Sequence, residues 1–247
     1  MINDGLWDVY DQVHMGNHGE ACAEKYGISR LDQDNYAELS YKRSQKATKL
    51  GAFDHEIVDI LDKDDNKVEI KDEEPFRVNF EKMKTLRSVF KKDGTITAAN
   101  ASTINDGAAS CLLASQQECS NLGFTPKAKI LDSVSFSHDP KWFTTAPVSA
   151  IIKILEKNNL TIDDIDFFEI NEAFSVVPLV AIKELNINID KLNIHGGAVS
   201  LGHPIGCSGT RIIMSLINAL KIRDKKIGIA SICIGGGEAT AMLIEAI

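Results

Sequence analysis

Residues 226–247 read KIGIASICIGGGEATAMLIEAI. Two apolar, β-rich runs meet at Gly235-Gly236-Gly237, and the spacing predicts a hairpin of two buried strands. Such a pair needs a sheet to sit in and cover on both faces. The preceding segments supply them. KAKILDSVSF (127–136) and DFFEI (166–170) read as strands. VSAIIKILEKN (148–158), SVVPLVAIKEL and RIIMSLINALK (211–221) read as helices, with Pro178 tolerated only in a first turn or at a kink. Strands alternating with helices predict a layered α/β domain.

The N-terminal part has a different texture. Residues 29–50 predict a helix that opens on a Ser29/Asp32 capping box and stops at Gly51. Residues 55–71 alternate around Asp64, Asp65 and Asn66, a hairpin signal, and the acidic run 62–74 reads as its solvated surface. Residues 1 to about 104 therefore read as a small mixed unit with polar surfaces. AASCLLAS (108–115) predicts a buried element, and SQQECSNL a short helix closed by Gly123.

Charge and cysteine content exclude some functions. The net charge of −8 argues against a nucleic-acid binder. Five cysteines without a CxxC argue against zinc and fit reduced thiols in an intracellular compartment. No apolar run approaches the ~20 residues of a membrane span. The first residues, MINDGLWDVYDQ, are acidic and read as neither signal nor transit peptide.

Three segments carry candidate chemistry. Cys233 ends an apolar strand at a glycine turn, where a thiol can act as nucleophile or acid/base and free N–H groups can face a ligand. The bland alternative is a small buried cysteine. His203 lies in GGAVSLGHPIGCSGTR (196–211), a glycine-rich loop open to a tightly apposed substrate, and an imidazole there can shuttle protons. The alternative is a structural histidine. Asn171 follows a strand and is placed to line a crevice, or to cap a turn. The glycine spacing matches no nucleotide-phosphate loop.

Together, Asn171-Glu172-Ala173-Phe174, the His203 loop and Cys233 resemble, in order, the C-terminal active-site motifs of the thiolase family, closest to its acetyl-CoA acetyltransferase type. Intervals of 32 and 30 residues separate Asn171, His203 and Cys233. His14-Met15-Gly16 and TAANASTINDGAA (97–109) extend the resemblance over essentially the whole chain. It implies a fold of two related α/β halves packed as five layers, αβαβα, with a loop domain inserted in the first. On that template residues 1–104 are part of the loop domain, 105–125 end the first half, and 126–247 are the complete second half. The first half would be incomplete, and the acyl-accepting cysteine of the family would lie ahead of Met1.

The resemblance also implies roles. The family condenses two acetyl-CoA to acetoacetyl-CoA and CoA, or runs the reverse. His203 would activate the acyl-accepting cysteine, Cys233 would move the α-proton, and Asn171 would position a water that stabilises an enolate. Phe174 would pack beside the acyl group. His14, Met15 and Ser102 would contact pantetheine, and Arg77 and Lys82 the nucleotide end of CoA. No cofactor is required. Some relatives hold a potassium ion, which would fall at Tyr41, Ala98, Ala99, Ala101 and Val199. The full-length protein would be a homo-oligomer, dimer or tetramer, in the cytoplasm or the mitochondrial matrix. The chain alone would lack turnover. Two other readings stay open: an inactive CoA-binding or subunit-interaction protein, and a thiolase for longer 3-ketoacyl-CoA. Three departures from the family pattern bear on these roles. Ile234 stands where potassium-dependent relatives often have Asn. Glu238, if turned inward, would raise the Cys233 pKa and repel an anionic substrate. Asn17-His18-Gly19 reads unlike relatives.

Overall fold

A computed structural model describes residues 1–68 and 72–247. A short ladder of β1 (Trp7–Asp8) with β2 (Val13–His14) leads into α1 (Met15–Tyr26) and α2 (Arg30–Lys49). The capping box expected at the head of α2 is present: Ser29 accepts from the Asp32 N–H, and Asp32 accepts from that of Ser29. The acidic hairpin forms only over β3 (Ile60–Leu61) and β4 (Lys67–Val68); its last expected residues, 69–71, lie outside the described residues. Then follow α3 (Glu74–Arg77), α4 (Phe80–Met83) and α5 (Gln116–Leu122), the last capped by Ser115 and closed by Gly123 at φ +70°.

The rest builds one sheet from β5 (Ala128–Ser137), β6 (Phe167–Ile170), β7 (Ile227–Ile234) and β8 (Glu238–Ala246). Its order is β5-β8-β7-β6, antiparallel except for the parallel β6–β7 pair. Between strands run α6 (Ala146–Lys157), α7 (Val176–Leu185), α8 (Ala198–Leu201) and α9 (Ser208–Ile222), and Pro178 falls in the first turn of α7, where it costs no helix hydrogen bond.

Period-two alternation sends successive strand residues to opposite faces. Ile229, Ala239, Ala241 and Leu243 meet α6 and α7 in the main core. Ala230, Ile244 and Ala246 meet Ile212, Leu216, Ala219 and Leu220 of α9, whose spacing makes one helical stripe. Each large aliphatic residue there contributes about 1.5–3 kcal/mol by burial. The N-terminal helices are not a separate layer: Met15, Cys22, Ala23 and Ile28 join the main core, and α2 packs on α8.

One expectation is corrected. AASCLLAS is not a buried element. Residues 102–115 form no helix or strand, and Leu112 and Leu113 are 79% and 71% exposed. An apolar run is buried only where another element covers it, and among the described residues none covers this one.

Candidate active site

Asn171, His203 and Cys233 all lie toward one end of the parallel β6–β7 pair, where α/β folds commonly bind ligands. Asn171 follows β6, its N–H bonded to the Ser231 carbonyl of β7 (3.0 Å). Cys233 lies two residues beyond Ser231. His203 is delivered by the glycine loop, its N–H donating to Thr103 O (2.9 Å), while Arg211 donates to Gly202 O (2.8 Å). Gly202 sits at φ +87°, and a side chain there would collide with Asn105, so the turn that aims His203 requires glycine.

The imidazole is held at both nitrogens. Ser208 Oγ lies 2.6 Å from Nδ1 and donates to Pro204 O (3.0 Å). With its one proton so used, Ser208 accepts from Nδ1–H. Nε2 is then the free base, and Asn171 Nδ2 donates to it across 3.2 Å. Burial, then the nearby Arg211 cation, lower the His203 pKa to about 4. The ring is therefore neutral near pH 7, with a lone pair at Nε2. Asn171 Oδ1 is buried without a partner among the described residues, an acceptor available to a bound group or water.

The Cys233 surroundings are apolar. The residue is half-buried and packs on the main core, and desolvation pushes its thiol up to about 12. Glu238 is not a cause of that shift. It pairs with Ile234 on the face away from Cys233 and lines a different cleft, so the expectation that it might disturb the thiol is not met. Met15 closes over the hairpin turn: a Cβ at Gly235 would stand 2.8 Å from its methyl. His14 caps α1, with Nδ1 accepting from Gly16 N–H (3.0 Å), and stacks on Phe90 (4.6 Å). Phe90 meets Phe174 edge-on (5.9 Å), and Phe174 bridges to Ala101. Ser102 donates to Ala173 O through both its N–H and its hydroxyl. The HMG motif and the 97–109 segment thus come together beside Asn171.

The remaining predicted residues lie elsewhere. Arg77 is exposed and paired with Glu73 and Glu74, and Lys82 is exposed on α4. Of the five potassium positions, Tyr41, Ala99 and Val199 gather with Ala37 and Met83 in one apolar cluster. The phenol is the only side-chain oxygen in that set of five, so backbone carbonyls would have to complete any shell.

Sequence reasoning passed over Glu172. Its carboxylate accepts from Tyr36 Oη (2.8 Å), Ser40 Oγ (2.8 Å), Asn193 Nδ2 (2.9 Å) and Val199 N–H (3.0 Å). Four donors on one buried carboxylate fasten α2, the stretch before the glycine loop, and α8 to the Asn171 turn.

The thiolase N-terminal domain pattern matches residues 1–117 and the thiolase C-terminal domain pattern residues 124–246. The chain belongs to the thiolase family. It is 49% identical to the mitochondrial acetyl-CoA acetyltransferase of Mus musculus and 45% identical to the acetyl-CoA acetyltransferase of Schizosaccharomyces pombe. Each match covers 99% of this chain, but the chain spans 58% and 63% of those enzymes. The thiolase fold is equally plain: a Bacillus anthracis acetyl-CoA acetyltransferase superposes with a TM-score of 0.93 at 42% identity, over 98% of this chain and 62% of its own. An Ascaris suum thiolase in complex with coenzyme A gives 0.93 at 43% identity, over 99% and 63%. Among the described residues no helix is long and apolar enough to cross a membrane.

Proposed function

We propose that these residues serve an acetyl-CoA C-acetyltransferase, condensing two acetyl-CoA to acetoacetyl-CoA and CoA or running the reverse thiolysis. The observation that carries it is the pairing of a neutral, doubly anchored imidazole, held by Asn171 at the end of β6, with a protonated thiol on the adjoining parallel strand β7. His203 Nε2 takes the proton of the acyl-accepting thiol, which attacks the acetyl thioester. Cys233 gives its proton to the departing CoA thiolate. The resulting Cys233 thiolate, strongly basic because it is desolvated, then takes an α-proton from the second acetyl-CoA. The enolate attacks the acyl-enzyme, and the first thiol returns. Asn171, through a bound water, and His203 stabilise the enolate oxygen.

His14, Met15 and Ser102 border the pantetheine of the CoA substrate, Phe174 the acyl group, and Arg77 and Lys82 the nucleotide end. A potassium ion, where bound, would be held by carbonyls near Tyr41, Ala98, Ala99, Ala101 and Val199, and would stiffen the loop behind His203. The working protein is a homo-oligomer in the cytosol or the mitochondrial matrix; relatives carry the names cytosolic and mitochondrial.

On this reading none of the other four cysteines is the acyl acceptor: Cys22 is fully buried in the core, Cys111 lies in the exposed 102–115 stretch, Cys119 is half-buried on α5 and Cys207 is buried at the head of α9. We therefore expect the chain by itself to lack turnover. Acetoacetyl-CoA cleavage assayed with the purified chain should stay at background. Turnover near the enzyme median of ~10 per second would show that one of these cysteines is recruited and overturn this assignment.

A further inference from the structure

The turn between β1 and β2 folds back on α1 and gathers three metal-ligating side chains that the acyl-transfer chemistry does not use. One ligand atom each from Asp8, Asp11 and His18 lies within 4.8 Å of the others. We propose that these three residues bind a divalent cation of the zinc class and so tie the β1–β2 turn to α1.

His18 is 3% exposed and Asp8 1%. His18 Nε2 stands 3.6 Å from Asp8 Oδ1 and 3.8 Å from Asp11 Oδ2. A charge-assisted hydrogen bond would close to about 2.7–2.9 Å, so the imidazole faces both carboxylates and bonds neither. Among the described residues neither His18 Nε2 nor Asp8 Oδ2 has a partner. Leaving such atoms buried and unsatisfied is costly.

A cation resolves all of these together. Bonds of about 2.0–2.2 Å from one imidazole nitrogen and two carboxylate oxygens place tetrahedral ligands roughly 3.3 Å apart, a few tenths below the two spacings observed from His18 Nε2. Asp8 is already oriented as a ligand. Its Oδ1, the oxygen facing His18, accepts from Tyr10 N–H (3.0 Å) and Asp11 N–H (2.6 Å), which fix the carboxylate in place. Asp11 is 53% exposed and opens on a cleft of about 500 Å³ shared with Tyr10, His138, Lys141 and Glu238. That cleft gives an entry path and room for water at the fourth position. The ladder pairs Trp7 with His14 and Asp8 with Val13, so the ion would clamp the segment that carries His14 and Met15.

The test uses the chain after chelator treatment, with Zn²⁺ alone as the first probe and Co²⁺ as the second. Equilibrium dialysis with metal analysis should find one equivalent of Zn²⁺ per chain and a raised Tm. The Co²⁺ form should show d–d bands without a sulfur-to-cobalt charge-transfer band, which separates this site from the thiols. Asp11→Asn changes an exposed group and should fold normally, yet weaken binding at least about tenfold. His18→Gln should do the same where it folds. Equal affinity in wild type and Asp11→Asn, a sulfur-to-cobalt band, or no stoichiometric uptake would overturn the proposal. The last result would leave an ordered water bridging the three side chains.

Discussion

The two glycine-rich segments near the C-terminus hold their reactive groups in opposite ways. His203 is fastened by polar contacts: Asn171 at one nitrogen, Ser208 at the other, Arg211 on the carbonyl behind it, and the Glu172 hub beneath the loop. The Cys233 thiol is set by the β7–β8 ladder and apolar packing, at the end of a strand whose following turn Met15 closes over. Both are desolvated and both favour the neutral form, which means a free base in one case and a protonated acid in the other. Burial of two unlike groups thus yields complementary protonation states near pH 7. The contrast can be broken from either side.

The largest effect is expected from Glu172→Ala. It strands Tyr36, Ser40, Asn193 and the Val199 N–H, and should cost about 3–5 kcal/mol of stability. Where the variant folds, the loop side should loosen while the Cys233 side is spared. Denaturant melts measure the cost, and the pH profile of thiol alkylation reports on the Cys233 side. A loss under about 1 kcal/mol would show that the hub is incidental.

Acid should act on the histidine side next. His203 and His195 are both lowered to about 4, chiefly by burial. The unfolded chain binds those protons near 6.5, so between about pH 6.5 and 4 it holds more protons than the folded one. Stability is therefore fully present above 6.5 and falls as pH drops toward 4, by about 2–3 kcal/mol per histidine. The Cys233 thiol does not titrate in that window. Melts from pH 7 to 4.5 should show the decline, and His195→Gln should flatten part of it. Because the buried carboxyls Glu169 and Glu56, raised by burial, titrate in the opposite sense, the deciding comparison is the variant: an identical slope in wild type and His195→Gln would contradict the burial of that ring.

The smallest effect belongs to the exposed apolar stretch. Leu112→Ser with Leu113→Ser should change unfolding free energy by under about 0.5 kcal/mol while reducing self-association in sedimentation, because exposed apolar patches drive association. A loss of several kcal/mol would mean that the stretch is covered after all.

These regions also show what a sequence discloses. Local signals were legible: the Ser29/Asp32 box, the Gly123 stop and the strands of the 126–247 sheet each depend on residues close in sequence. The motif residues were legible by type and spacing. The Glu172 hub was not, since its partners Tyr36 and Ser40 lie 136 and 132 residues upstream and carry no local mark. Neither was the Asp8–Asp11–His18 cluster, which exists only because a turn folds onto α1. AASCLLAS misled because apolar composition reports what could be buried, not whether a cover is present.

The central claim is the division of labour between His203 and Cys233. It is tested most directly in the full-length protein by separating the half-reactions. Radiolabelled acetyl-CoA reports acylation, and acetoacetyl-CoA formation reports the complete cycle. His203→Ala should depress both by ~100- to 10,000-fold. Cys233→Ala should depress condensation by a comparable factor and acylation much less, because a CoA thiolate can depart and be protonated by water without Cys233, whereas the α-proton needs a base. Condensation within a few-fold of wild type in Cys233→Ala would make the thiol a packing residue and contradict the account.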